Sequence, residues 1–216
     1  MMFAILCDFD GTIVNLDAAE FLLNKFVNED WKKFDEQLER EEITLEECME
    51  KQYSLLKAPK AVMLKELEKG IFFRSNFDKL VEYCRTQNFP FVIVSAGLDF
   101  IIKHFLEQKG LEEVIEIHAA KTQFTSDGIT LTFPKLFDKT SANFKDDLVK
   151  YYKTQGYRVI YIGDGLSDYT AVRKADFSFI IKDSSLATLC KEEKLQCQEI
   201  TDFQEAIDKI KTFSML

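Results

Sequence analysis

The 216-residue chain has no apolar run approaching the roughly 20 residues of a membrane-spanning helix, which excludes an integral helical membrane protein. Its first residues lead straight into an apolar stretch, with no basic segment followed by a small-residue cleavage site. No secretory leader is legible, and a cytoplasmic location is expected. Cysteine is sparse and odd in number: Cys7, Cys48, Cys84, Cys190 and Cys197 form no close metal-type pair and no framework of a disulfide-stapled secreted domain. The two histidines, His104 and His118, lack ligand spacing and read as packing or surface residues. Positive charge is short as well. Twenty-eight Lys and Arg face 37 Asp and Glu, a net charge of −9 that argues against a nucleic-acid surface. Any site for an anion must therefore bring its own local positive groups.

What is present is a chain with 46% hydrophobic residues, enough for a full core. Short apolar runs at 3–7, 90–94, 114–118, 158–162 and 177–182 alternate with amphipathic stretches at 76–87, 98–109, 143–155 and 167–174. That alternation predicts an α/β protein, a parallel sheet flanked by helices. The near-continuous apolar character of most of the strands fits burial on both faces. Gly110 and Gly156 fall where helix C-caps belong. Residues 122–133 differ: two alternating runs flank Asp127-Gly128, a hairpin signal. A last helix is expected after Thr201 or Asp202, with Phe203, Ala206, Ile207 and Ile210 on its apolar face.

Residues 15–73 break the pattern. They hold no convincing strand and read as successive helices, one striped by Trp31, Phe34 and Leu38, another by Leu45, Met49, Tyr53 and Leu56. Thr44 and Glu47 make a capping box, and Pro59 suits the first turn of a further helix that ends by Gly70. The simplest organisation is a core of residues 1–14 and 74–216 with a helical insertion at 15–73.

Chemistry concentrates at strand ends. The first strand runs into AILCDFDGTIV, placing Asp8 and Asp10 side by side, and two like charges need a cation, a proton or a use. Ser95-Ala96-Gly97 follows the second strand, Lys145 opens a helix, and GDGLSD (163–168) follows the RVIYI strand. In open parallel sheets, ligands bind at the carboxyl ends of strands, so these four segments are expected to converge. Carboxylates, a hydroxyl, an amine and accessible glycine N–H groups suit magnesium-assisted phosphoryl transfer to a carboxylate.

DFDGT, Ser95, a following lysine and GDGLSD resemble, in order, the four motifs of the haloacid dehalogenase superfamily, and the likeness covers essentially the whole chain. The helical segment is similar to the superfamily's C1-type cap on a Rossmann-like core. SAGLDFII, GDGLSD and the hairpin resemble the phosphoserine phosphatase-like branch, methionine-salvage phosphatases among it. This resemblance implies a Mg2+-dependent phosphatase for a small phosphorylated metabolite. Asp8 is then the nucleophile, Asp10 the general acid–base, and Lys145 the positive group beside Asp8, ahead of Lys121 and Lys139. Thr12, Ser95, Ala96 and Gly97 are expected at the phosphate, and Asp17, nine residues beyond Asp8, facing the substrate. Magnesium is expected on Asp8, the Asp10 carbonyl and Asp164, with Asp168 in support. Arg74, just after the insertion, could meet a substrate anion, with a surface ion pair as the plainer expectation. No convincing arginine inside the insertion matches the one that would grip the carboxylate of phosphoserine. A phosphomutase, or a binding protein on the same scaffold, is the alternative function. Both monomer and homodimer are compatible with the sequence.

Overall fold

A computed structural model describes residues 2–126 and 128–214. Its strands are β1 (Phe3–Cys7), β2 (Phe91–Leu98), β3 (Glu116–Thr125), β4 (Gly128–Thr132), β5 (Arg158–Gly163), β6 (Phe177–Ile181) and β7 (Gln198–Ile200). They form one sheet in the order β4-β3-β2-β1-β5-β6-β7, parallel throughout except for the antiparallel pair β3–β4. β1 lies at the centre with all five side chains fully buried, and a strand covered on both faces needs no polar side. From β1 the chain builds outward through β2 and β3, then crosses back to place β5 against the other edge of β1. The strand order reverses between β1 and β5, so a crevice opens at their carboxyl ends, where Asp8 and Asp164 emerge.

Helices α1 (Ala18–Phe26), α2 (Lys32–Glu39), α3 (Leu45–Tyr53) and α4 (Lys60–Leu67) form the insertion after β1. Its two connections to the core run side by side: Val14 bridges Phe73, the Asn15 N–H donates to the Phe72 carbonyl at 3.0 Å, and the Arg74 N–H donates to the Ile13 carbonyl at 2.8 Å. The Thr44–Glu47 capping box starts α3, which buries Leu45, Cys48, Met49, Gln52 and Tyr53. By contrast α2 buries none of its residues, and Trp31 precedes it rather than standing on its face.

The core helices are α5 (Phe77–Gln87), α6 (Asp99–Gln108), α7 (Phe144–Thr154), α8 (Tyr169–Lys174), α9 (Ser185–Glu192) and α10 (Phe203–Ser214). Three differences from the sequence expectations stand out. The run at 114–118 and the first arm of the hairpin are one ten-residue strand, β3, because its inner half pairs with β2 and its outer half with β4. Gly128 is the first residue of β4, opposite Thr125, rather than part of the turn; Asp127 lies outside the described residues. α9 and β7 were not anticipated, being one eight-residue helix and a three-residue edge strand, too short for periodicity to register. Among the described residues no helix is long and apolar enough to cross a membrane.

Candidate active site

β1 stops at Cys7, and Asp8 is the first residue beyond it. The Asp8 N–H still donates to the Ile162 carbonyl of β5 at 2.9 Å, which pins the residue at the crevice. One carboxylate oxygen accepts from the Phe9 N–H at 2.7 Å and the other from Lys145 Nζ at 2.9 Å. Strand alternation does not continue through Asp10, because the chain enters a tight turn over Phe9–Ile13. The two carboxylates therefore diverge: Asp8 turns toward α7, while Asp10 accepts from the Ala18 N–H of α1 at 2.9 Å. The second Asp10 oxygen lies against Gly97, where any β-carbon would collide with it.

Lys145 stands in the first turn of α7, whose N-terminus is fixed by Asn143 accepting from the N–H groups of Lys145 and Asp146. Its side chain is fully buried and donates to Asp8, to Ser167 Oγ at 3.0 Å and to Asp168 at 2.6 Å. Lys121 and Lys139 are exposed at the surface. Burial alone would push the Lys145 ammonium down, but the Asp168 and Asp8 carboxylates outweigh it and hold its pKa above the ordinary value.

Asp168 is saturated with donors. One oxygen accepts from Lys145 and from the Tyr161 hydroxyl at 2.7 Å, the other from the N–H groups of Asp164 and Gly165, each at 3.1 Å. Thr12, fully buried, donates its hydroxyl to Asp164 at 2.6 Å, so it orients that carboxylate. Ligand atoms of Asp8, Asp164 and Asp168 lie within 4.8 Å of one another, an all-oxygen donor set of the kind hard divalent cations take; the Asp10 side chain stands outside this set.

The electrostatics follow from crowding acids at a dry strand end. Burial, then Asp168, drives the Asp8 carboxyl well above the ordinary carboxylate range, with Lys145 opposing. Burial and the neighbouring Asp17 raise Asp10 strongly as well. Burial and Asp168 push Asp164 up to about 7. Such a cluster favours either bound protons or a cation among its oxygens.

Ser95, Ala96 and Gly97 lie within the irregular end of β2 rather than beyond it, where the pairing with β3 shifts register between Val94 and Leu98. Ser95 is fully buried, and its Oγ accepts from the Gly97 N–H at 3.0 Å. Asp17 caps α1 by accepting from the Glu20 N–H at 2.8 Å, and its charge is felt at Asp10. Arg74 forms no ion pair among the described residues, although the charge of Asp164 reaches it. It donates to the carbonyls of Gly11 at 2.6 Å, Thr12 at 2.7 Å and Thr201 at 3.3 Å, clamping the turn after β1.

Two side chains at the site escaped the sequence reading. Tyr161 sits inside a continuous apolar run, and a buried tyrosine hydroxyl needs a partner, which is the signal that was available. Tyr53 counts toward the apolar stripe of α3, yet its hydroxyl crosses to the core and donates to the Ala96 carbonyl at 3.0 Å. Burial, then Asp17 and Asp10, keep that hydroxyl protonated well beyond its ordinary range.

The comparisons with known proteins agree with this geometry. The haloacid dehalogenase-like hydrolase family profile matches residues 5–173. A 2-hydroxy-3-keto-5-methylthiopentenyl-1-phosphate phosphatase of Brevibacillus brevis is 27% identical over 208 residues, covering 94% of this chain and 92% of its own length. The protein of the same name from Geobacillus kaustophilus is 28% identical and covers 98% of this chain and 97% of its own. A phosphoserine phosphatase solved as a phospho-aspartyl intermediate analogue superposes with a TM-score of 0.70 at 20% identity, over 96% of this chain and 98% of the other. The same enzyme type in a substrate-bound complex also superposes with a TM-score of 0.70, at 19% identity, over 97% and 98% of the two chains. The chain belongs to the haloacid dehalogenase-like hydrolase family and stands among its phosphatases.

Proposed function

We propose that this chain hydrolyses a small phosphomonoester through an aspartyl-phosphate on Asp8. The observation that carries the reading is the position of Asp8: the carboxylate at the end of the central strand, held by Lys145 and adjoined by Asp164, with Ser95 at the end of the neighbouring strand. In the first half-reaction an Asp8 oxygen attacks phosphorus and the ester oxygen leaves, taking a proton from Asp10. Burial and Asp17 raise the Asp10 carboxyl, which favours its protonated form, and the oxygen not engaged by Ala18 is the one that can carry the proton. In the second half-reaction the Asp10 carboxylate takes a proton from a water that attacks phosphorus, the bond from phosphorus to the Asp8 oxygen breaks, and Asp8 is regenerated with release of inorganic phosphate. Lys145 offsets charge that accumulates beside Asp8, and the Ser95 hydroxyl with nearby backbone N–H groups holds phosphate oxygens.

The donor set fits Mg2+: Asp8 and Asp164 offer carboxylate oxygens, the Asp10 carbonyl is a further candidate, and Asp168, with both oxygens engaged, holds Lys145 and the 164–165 backbone in place. When bound, Mg2+ would supply positive charge that offsets the crowded carboxylates and the phosphoryl group. The helical insertion acts as a cap at 15–73 over the core of 1–14 and 74–216, limiting substrate size and excluding bulk water.

The cap's cations argue against phosphoserine. Arg40 pairs with Glu36 and Glu42 at the exposed surface, Lys25 and Lys69 pair with Glu66, and Lys32 with Glu20. Lys51 and Lys60 lie over Phe34 and Phe100. Among the described residues none of these six cations hydrogen-bonds or ion-pairs with Asp10, Asp17, Ser95 or Tyr53, so none of the six is set to meet a substrate carboxylate there. A phosphate ester without one, such as the compound named for the Brevibacillus and Geobacillus relatives, fits better. The test is inorganic phosphate release from that ester, phosphoserine, phosphoethanolamine and sugar phosphates, with Mg2+ and with chelator, beside Asp8→Asn. Release that needs the metal and disappears in Asp8→Asn is the expected result. A rearranged phosphate ester in place of free phosphate would make the protein a mutase.

A further inference from the structure

The last turn of α3 meets the core at two points. The Tyr53 hydroxyl donates to the Ala96 carbonyl, and the Ser54 carbonyl presses on Gly128 at the start of β4, where a β-carbon would collide with it. Gly128 also has φ +131°, a conformation that side-chain-bearing residues avoid. Tyr53 is 4% exposed, so its hydroxyl is committed to this contact rather than to solvent.

The Ala96 carbonyl and the Gly97 N–H belong to one planar trans peptide group and point in opposite directions. Fixing the carbonyl therefore fixes the N–H, and the Gly97 N–H donates to Ser95 Oγ at 3.0 Å. A continuous chain runs from the Tyr53 hydroxyl through the Ala96–Gly97 peptide to the Ser95 hydroxyl. Because Ser95 Oγ accepts in this chain, its own proton stays available for an oxygen anion. The Gly97 position is further fenced by the Asp10 carboxylate, leaving the peptide little room to swing.

We infer that Tyr53 is a positioning residue: by holding the Ala96 carbonyl it sets the Ser95 hydroxyl for phosphate, and it does so only when the helical insertion is docked on the β3–β4 hairpin. Phosphate binding and docking of the insertion are thereby one event. This rests on Ser95 being a phosphate-binding residue, as proposed above.

The experiment measures inorganic phosphate affinity, as a product-inhibition constant and by direct calorimetry in Mg2+, for wild type, Tyr53→Phe, Ser95→Ala and the double variant. Thermal midpoints without phosphate are recorded beside them. Tyr53→Phe keeps the ring and removes only the hydroxyl. It should weaken phosphate binding about tenfold and lower the thermal midpoint by only a few degrees, as one lost hydrogen bond would. On the Ser95→Ala background the same change should cost less than twofold, since the two act through one chain. Gly128→Ala, which leaves Tyr53 in place but displaces the Ser54 carbonyl, should behave like Tyr53→Phe in both backgrounds. A Tyr53→Phe protein with wild-type phosphate affinity, or losses that multiply in the double variant, overturns the coupling while leaving Ser95 at the phosphate. A Ser95→Ala protein that binds phosphate like wild type overturns the assignment of Ser95, and the inference with it.

Discussion

The sheet side and the insertion side of the site are built to different standards. On the sheet side Lys145 makes three side-chain hydrogen bonds and Asp168 accepts four, all from neighbours fixed by β5, its following loop or α7. On the insertion side the end of β2 is reached by a single described hydrogen bond, that of Tyr53. The first arrangement is rigid because each group is held by several others, and removing one leaves buried charge without a partner. The second has few polar ties, which suits the cap role proposed for the insertion.

The sharpest way to break this contrast is Lys145→Met. With Asp8 and Asp168 deprived of their cation, stability at pH 8 in chelator should fall by about 3 kcal/mol, and kcat in Mg2+ by roughly 10²–10³-fold. Urea unfolding and steady-state kinetics read both. A fall in activity with unchanged stability would mean the sheet side is not the rigid member.

Proton and the proposed metal would compete for the same oxygens, which gives the next effect. Asp164, pushed up to about 7, holds a proton in the folded chain at pH values where it has already lost it in the unfolded chain. In chelator its contribution therefore makes the protein less stable as pH rises from about 4 to about 7. Mg2+ affinity should move the opposite way, rising about tenfold per pH unit up to about 7 and then levelling. Calorimetric titration of Mg2+ at pH 5.5, 6.5 and 8 checks the sign; a flat affinity would remove Asp164 from the metal site.

Arg74 clamps the core turn after β1, beside the neck of the insertion. Arg74→Ala removes three bonds to backbone carbonyls and should lower stability by about 2 kcal/mol while opening the 14–15 and 72–73 connections to limited proteolysis. At the other extreme, Arg40→Ala on the exposed face of the insertion should change stability by less than about 0.5 kcal/mol, since its ion pairs are open to solvent.

Much of the sheet was legible because its strands are buried on both faces and its helices are amphipathic, signals carried by neighbouring residues. Asp8, Asp10, Ser95, Asp164 and Asp168 stood out as polar groups at the ends of apolar runs; Lys145 stood ahead of Lys121 and Lys139 by its place in the motif order, and the roles of all six were what the family resemblance implied. What escaped was either short, as α9 and β7 are, or polar chemistry hidden in an apolar pattern, as with Tyr53 and Tyr161. Arg74 was misjudged for a third reason. Its partners are backbone carbonyls, which every residue carries and no sequence distinguishes.

By itself the chain's sequence determined the α/β alternation, the helical insertion after the first strand and the concentration of polar groups at strand ends. Those follow from periodicity and residue type, which are local; which of the polar groups act together was what the family resemblance implied. The tertiary structure alone decided that Asp8 and Asp10 diverge, that Thr12 orients Asp164, that Asp168 is saturated by four donors and that α3 touches the end of β2 through one hydroxyl. Each of these depends on where a turn sends the backbone or on contacts between segments tens to more than a hundred residues apart. That information resides in packing, because no local propensity can say which of several chemically equal partners a side chain will meet.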